Sequence, residues 1–562
     1  MRKVWLDSYP PSVQAEIDLT EYSSVPDVLA QAFRKYPHHP AFRNLGTTLS
    51  YAQLEQKVRD FAAWLQHQPG LHSGSRVALM MPNLLQYPVA FFGVLRAGMI
   101  VVNVNPLYTA RELEHQLRDS GAEAIVILEN FAHVLQQVAG RLSLKYLVVT
   151  QIGDLLAFPR SLLVNFAVKR VKKLVPPWHL PAAVDFRAAL EAGSLHDLRD
   201  VALRPDDIAL LQYTGGTTGT SKGAILTHGN LVANLLQAGA WARTTLRDGE
   251  EIVVSALPLY HIFSLTVNCL LFTSLGALNL LITNPRDMPA FVKELKKTRF
   301  TAITGVNTLY NGLLNTPGFA DVDFRALKVA IGGGAAIHHA VAERWKAVTG
   351  CPLTEGYGLT EASPLVACNP LGGEFSGSIG LPVPSTDISV RSDDDTELPP
   401  GLEGEICVRG PQVMQGYWNR PEETRRILSP GGWLRTGDIG VIDCQGFLRV
   451  TDRKKDIIIV SGFNVYPTEV EDVLAEMPGV VESAVVGIPD SITGEMVKAF
   501  VVTNGPSIAP EEIIAHCRRH LTSYKVPKLI EFRTELPKNP IGKVLRRELR
   551  PAVAQKKVAA AG

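Results

Sequence analysis

The run Tyr213-Thr-Gly-Gly-Thr-Thr-Gly-Thr-Ser-Lys-Gly223 sets glycines, hydroxyl side chains and a lysine between two apolar stretches, 208–211 and 224–226. Glycine lets a backbone approach a ligand closely and turn its N–H groups into a concave nest. Gly215, Gly216 and Gly219 supply that freedom, Thr214, Thr217, Thr218, Thr220 and Ser221 add neutral donors, and Lys222 adds a positive charge. Together they suit a polyphosphate. A Gly/Ser/Thr linker is the competing reading, but linkers seldom lie between apolar segments. The two common phosphate loops do not fit. A Walker A loop needs lysine followed by Ser or Thr, whereas Lys222 precedes Gly223, and the glycine spacing is not that of a dinucleotide fingerprint.

Further residue types that could do chemistry follow in order: Tyr357-Gly-Leu-Thr-Glu361, Thr436-Gly-Asp438, Asp452-Arg-Lys-Lys-Asp456, Ser461-Gly-Phe463 and Pro540-Ile-Gly-Lys543. With the 213–223 run, this ordered set closely resembles the signature motifs of the adenylate-forming superfamily, which includes acyl-CoA synthetases, luciferases and peptide-synthetase adenylation domains. The resemblance implies a two-step reaction. A carboxylate is a poor electrophile; joining it to AMP supplies a leaving group that a thiol can displace. The first step brings two anions together, so cationic and metal stabilisation must dominate.

The resemblance also implies roles for single residues. Lys543 would bridge the attacking carboxylate and the α-phosphate, Glu361 would hold Mg2+ between phosphates, and Thr214 and Thr360 would donate to phosphate. Lys543, Glu361 and Thr214 are thus the catalytic set. The run from Tyr213 to Lys222 would cradle ATP. Tyr357 would stack on adenine, flanked by Glu355, Gly356 and Gly358, and Gly334 and Ala335 would let the backbone close over the base. Asp438 would accept both ribose hydroxyls with Arg453 beside it. Lys455 would be the pivot of a swinging C-terminal domain. Gly462 would line the pantetheine channel for CoA, and His261 with Gly333 would stand at the acyl pocket. Plainer roles compete: a solvated carboxylate for Glu361 alone, a turn former for Asp438, a solvated cluster for Lys454 and Lys455, and a satisfied core residue for His261.

The stretch from Gly432 through Lys455 resembles the extended signature of fatty acyl-CoA synthetases, and runs at 78–88 and 102–108 resemble bacterial long-chain fatty acid–CoA ligases. Arg435 departs from the histidine usual there, which touches only substrate tuning. The implied activity is ATP-dependent formation of acyl-AMP and then acyl-CoA from a long-chain fatty acid, feeding β-oxidation. A medium-chain or aryl-CoA ligase, an adenylation domain serving a carrier protein, and a non-catalytic acyl-binding or trafficking protein are the alternatives. The chain's stop soon after Lys543 speaks against the carrier case, and intact Lys543, Glu361 and Asp438 against the non-catalytic one.

Several elements must position these residues. Apolar, β-branched runs at 77–81, 100–104, 124–128, 146–150, 252–256, 302–304 and 328–331 predict buried strands, and amphipathic stretches at 110–120 and 288–298 predict helices between them. That alternation predicts an α/β fold of mainly parallel sheets flanked by helices. Short strands and Gly/Pro turns predict a β-rich subdomain over about 376–451. The predicted division is an N-terminal adenylation domain over 1–451, a hinge at 452–456 and a mobile α+β C-terminal domain over 457–562.

At 562 residues the chain exceeds one hydrophobic core. A net charge of +1 gives no reason to expect nucleic acid, and six scattered cysteines predict buried, reduced thiols of a cytoplasmic protein rather than disulfides or zinc ligands. The basic N-terminus lacks the apolar core of a signal peptide. The uncharged run 262–282 is long enough for a membrane span, but its Ser, Thr, Asn and Gly content predicts a buried helix and strand instead. Oligomeric state is open, a homodimer included. A helical period over 162–175 puts Leu163, Val164, Ala167, Val168, Val171, Leu174 and Val175 on one face and Asn165, Lys169, Lys172 and Lys173 on the other. Such a helix suits peripheral attachment to the anionic cytoplasmic face of the inner membrane, or else packing on the protein surface.

Overall fold

The computed structural model describes residues 3–214, 221–490, 492–504 and 508–551. Gly215, Gly216, Thr217, Thr218, Gly219 and Thr220 of the predicted phosphate loop lie outside the described residues. The chain forms a large N-terminal α/β domain and a small C-terminal one.

Two large sheets build the N-terminal domain. One runs parallel through Leu353–Gly358, Val329–Gly332, Ala302–Gly305, Ile252–Ser255, Leu278–Leu281 and Pro40–Asn44. The other runs parallel through Ile208–Thr214, Ile100–Asn103, Arg76–Met80, Ala124–Leu128, Tyr146–Thr150 and Ala183–Asp185. Helices cover the faces, so strands such as Ile100–Asn103 and Ala124–Leu128 are buried at every residue and read as apolar runs, broken only at Asn103. The expected strands all appear, most of them displaced by a residue at an end. Helix Ala110–Ser120 starts on a capping box between Thr109 and Glu112 and ends at Gly121, whose φ of 62° a glycine adopts without strain.

The second sheet is extended by a hairpin. Ile208–Thr214 pairs antiparallel with Lys222–Thr227, with Thr214 opposite Lys222. Thr227 then caps helix His228–Ala242, again with a reciprocal box to Asn230. An antiparallel sheet of Asp387–Arg391, Gly404–Arg409, Leu434–Ile442 and Leu448–Arg453 forms the expected β-rich part. The C-terminal domain has its own sheet, centred on Val480–Asp490 and Gly494–Thr503, and its own core around Val485, Val497, Val501 and Ile513.

The 262–282 run is internal, as expected. It forms a π-helix over Ser264–Leu271, a short turn of helix and the strand Leu278–Leu281. Its polar residues satisfy buried backbone: Ser264 Oγ donates to Leu257 O at 2.8 Å and Thr266 Oγ1 to Ser363 O at 2.7 Å. Among the described residues no helix is long and apolar enough to cross a membrane. All six cysteines are unpaired; five are buried, but Cys444 is exposed, against expectation.

The 162–175 segment departs from its helical period. It is α-helical over Arg160–Phe166 and π-helical over Ala167–Val171, and the wider turn shifts the faces. Asn165 points inward, accepting from Gly153 N at 2.7 Å, and Val168 is buried beside it. Leu162, Leu163, Phe166, Val171 and Leu174 are exposed together with Arg170, Lys172 and Lys173. Lys169 leans onto buried Glu129 at 3.3 Å. Apolar and basic groups thus share one outer face instead of opposite ones.

Candidate active site

The carboxyl ends of Ile208–Thr214, Ile100–Asn103, Val329–Gly332 and Leu353–Gly358 open onto one cleft of about 2290 Å³, the crevice where open α/β sheets take ligands. Every described residue that the motifs assign to the nucleotide, the acyl pocket or the pivot lines it, and Gly462, assigned to CoA, does not. That glycine sits on the exposed turn between Ile458–Val460 and Phe463–Val465, with φ of 84° and nothing near its Cα substituent position.

Strand register makes the Asp438 site. Asp438 and Arg453 are direct cross-strand partners, and Arg453 Nε lies 2.9 Å from Asp438 Oδ1. The Tyr357 hydroxyl donates to Asp438 Oδ2 at 2.6 Å. The Asp438 charge raises the Arg453 guanidinium, while burial and the same carboxylate push the Tyr357 phenol well above its ordinary range. Tyr357, Asp438 and Arg453 therefore come together across two sheets.

Lys543 reaches the cleft from the C-terminal domain. It follows Gly542, whose φ of 90° and whose Cα hydrogen side, 2.5 Å from Thr308 Oγ1 for any added Cβ, exclude other residues. Thr308 Oγ1 also donates to Gly542 O at 3.2 Å, which seats the turn on the start of helix Asn307–Leu314. Asn311 donates to Val481 O at 3.0 Å and His338 pairs with Asp472 at 2.7 Å, joining the domains further. Burial, with Arg453 nearby, lowers the Lys543 ammonium to about 8, and Lys455 is lowered to about 8 by the same two causes. Lys543, Lys455, Arg453 and Arg546 thus gather positive charge where anionic reactants would enter, with Arg546 tied to Glu471 at 2.6 Å and to Asp452 at 3.3 Å.

On the opposite wall, the hydroxyl of Tyr417 donates to Glu361 Oε1 at 2.6 Å. Lys222 pairs with Glu423 and lies 5.2 Å from the Tyr417 ring centre. Tyr213 turns its hydroxyl to Asp119 at 2.7 Å, so its phenol is committed to the scaffold. Glu355 is buried; Ile337 N donates to one carboxylate oxygen at 3.1 Å and the other has no partner among the described residues. Burial pushes its carboxyl up to about 7. His261 lines the cleft within the field of Lys543; burial first and then that lysine lower it to about 4, so the ring is neutral. Phe263 N donates to its Nδ1, leaving the proton on Nε2.

Sequence reading missed the apolar arm of the cleft. Ala238, Trp241, Ala242 and Leu246 face Val267, Leu271 and Phe272 there. Its one signal is that helix His228–Ala242 is apolar nearly all round, as a helix buried on most sides must be. It also missed Asp119, Tyr417 and Glu423, which belong to no motif.

Residues 29–418 match the family model of the AMP-binding enzymes and residues 469–543 that of the AMP-binding enzyme C-terminal domain. The chain belongs to the AMP-binding enzyme family. More particularly, it is 58% identical to a protein of Escherichia coli named long-chain-fatty-acid–CoA ligase, over 98% of both chains, and 57% identical to the protein of that name from Yersinia pestis, again over 98% of both. Among solved structures, a benzoate CoA ligase from Burkholderia xenovorans superposes with a TM-score of 0.81 at 28% identity, covering 94% of this chain and 100% of that one.

The Lys543 environment sets a pH dependence. The cation is present below about 8 and lost above it. The kcat/KM for ATP in the adenylation half-reaction, measured by ATP–pyrophosphate exchange, is expected to fall as pH rises through 8, since that parameter reports groups of the free enzyme. In Lys543→Arg the charge persists, and the alkaline limb should move upward even if the rate is lower. A limb that stays in place would assign it to Lys455.

Proposed function

We propose that this chain is a long-chain fatty acid–CoA ligase that forms acyl-AMP and pyrophosphate from fatty acid and ATP, then acyl-CoA and AMP from CoA, with the product entering β-oxidation. The observation that carries the reading is Lys543, brought by the C-terminal domain into the same cleft as Tyr357, Asp438 and Arg453. Full-length similarity to proteins of that name agrees with it.

The residues divide the work as follows. Tyr357 and the Gly333–Ala335 backbone flank the adenine position, and Asp438, steadied by Arg453, accepts the ribose hydroxyls. Thr214, Thr360 and Lys222 contact phosphate. Lys543 sits between the carboxylate and the α-phosphate, where its charge offsets the repulsion between them and stabilises negative charge growing in the transition state. The apolar arm from Ala238 to Leu246 excludes water from the acyl chain, with neutral His261 and Gly333 near its mouth. Glu361, with Oε1 held by the Tyr417 hydroxyl in the cleft, is the carboxylate that would hold Mg2+. When bound, it would neutralise phosphate charge.

The second half-reaction requires Lys543 to leave and a thiol to enter. Gly462 lies outside the cleft in the orientation seen, so rotation about 452–456, with Lys455 as pivot, would exchange the two. Lys543→Ala is then expected to slow acyl-AMP formation from oleate by ~10²–10³ or more while sparing thioester formation from supplied acyl-AMP. Pyrophosphate release and CoA consumption, measured separately, decide it: equal loss of both steps would remove the swinging-domain reading.

A long-chain acid must be collected from a membrane, and the outer face of the 158–174 segment supports peripheral docking. Phe158, Leu162, Leu163, Phe166 and Val171 are 81%, 59%, 64%, 62% and 67% exposed beside Arg170, Lys172 and Lys173. Apolar insertion plus attraction of ~1 kcal/mol per basic residue gives reversible attachment to anionic lipid. Arg170/Lys172/Lys173→Glu, which spares the Lys169–Glu129 contact, should abolish co-sedimentation with anionic liposomes and leave turnover of micellar substrate intact. Equal sedimentation of variant and parent would refute this surface.

A further inference from the structure

The phosphate hairpin is held by a closed circuit of charged contacts. Glu423 pairs with Lys222, the two side chains being 29% and 24% exposed, and its Oε1 lies 3.8 Å from Arg420 Nε. Arg420 Nη2 holds Asp119 Oδ1 at 2.8 Å, and Asp119 Oδ2 accepts from the Tyr213 hydroxyl at 2.7 Å. Tyr213 and Lys222 stand on the two arms of the hairpin, one register step apart, so the circuit leaves one arm and returns to the other. Backbone reinforces it. Gly416–Tyr417 adds as a third strand beside Lys222–Thr227, and Trp418 N donates to Gly223 O at 2.8 Å.

We propose that Glu423 is a positioning residue that stands in for a phosphate: it holds the Lys222 ammonium where a nucleotide oxygen is to arrive and yields it when the nucleotide binds. The inference rests on reading Lys222 as a phosphate ligand. Two anions then compete for one cation. Whatever fraction of the free enzyme has Lys222 paired with Glu423 is unavailable to phosphate, and the apparent affinity of every phosphate ligand falls by the fraction that remains. The displaced carboxylate is not stranded, because Arg420 is already within 3.8 Å of it. The same competition acts on the product: Glu423 returning to Lys222 helps to expel pyrophosphate. Some ATP affinity is given up so that the first step does not stall on its own product.

The test uses the full chain and pyrophosphate itself. Glu423→Gln keeps the shape and removes the charge. An ion pair this exposed is weak, so the inhibition constant of pyrophosphate should fall about fivefold, and KM for ATP should fall with it while KM for fatty acid stays. Glu423→Asp, with a shorter reach, should shift the same constants less. In a Lys222→Met background, itself expected to bind pyrophosphate more weakly, Glu423→Gln should change nothing. An unchanged or raised inhibition constant in Glu423→Gln, or the same shift in both backgrounds, overturns the stand-in. If Lys222→Met leaves pyrophosphate and ATP binding intact, the assignment of Lys222 itself falls, and the proposal with it.

Discussion

The cleft is organised around a half-buried ammonium ion. Lys543 lies among Arg453, Lys455 and Arg546, and desolvation, with the Arg453 charge nearby, lowers it from the ordinary lysine value to about 8. Such a placement is unfavourable for an isolated domain, since desolvation and like charges both oppose it. It holds because the domain that carries the lysine is docked by Gly542 on Thr308, by Val481 on Asn311 and by Asp472 on His338. A protein that prepares positive charge before its anionic reactants arrive needs no reorganisation when they do. On the proposed reading, the same unfavourable placement makes the lysine ready to withdraw once acyl-AMP has formed.

The rest of the site divides by rigidity. Asp438 and Arg453 are fixed by antiparallel register and Tyr357 by a parallel strand end, so their meeting depends on sheet geometry and not on side-chain freedom. The hairpin bearing Thr214 and Lys222 is different. Its base is gripped from outside by Asp119, Arg420 and Glu423, and its neighbour Glu361 is oriented by Tyr417. Residues remote from the motifs thereby set where the motif residues point.

On the proposed reading, two apolar features answer the needs of a long acyl chain. One is inside, between helix His228–Ala242 and the π-helix Ser264–Leu271, whose wide turn is anchored by buried Ser264, Thr266 and Asn268. The other is outside, on the 158–174 segment, where a second π-turn brings leucines, Phe166 and basic residues to one face. In both places a departure from the regular α-helix decides which side chains line the surface.

Much of this was legible in the sequence, for identifiable reasons. Parallel strands buried on both faces must be largely apolar, so Ile100–Asn103, Ala124–Leu128 and Tyr146–Thr150 announce themselves, and Thr109 with Glu112 marks a helix start that needs no tertiary partner. Backbone-driven ligand contact requires glycine and hydroxyl residues, so the 213–223 run and the Tyr357–Glu361 run carry their chemistry in local composition. What sequence could not contain is the pairing of residues far apart along the chain. Asp119 meeting Tyr213 and Arg420, Glu423 meeting Lys222, and the exposed face of 158–174 arise from sheet order, domain docking and π-turns. These are set by packing across hundreds of residues, and no local period records them.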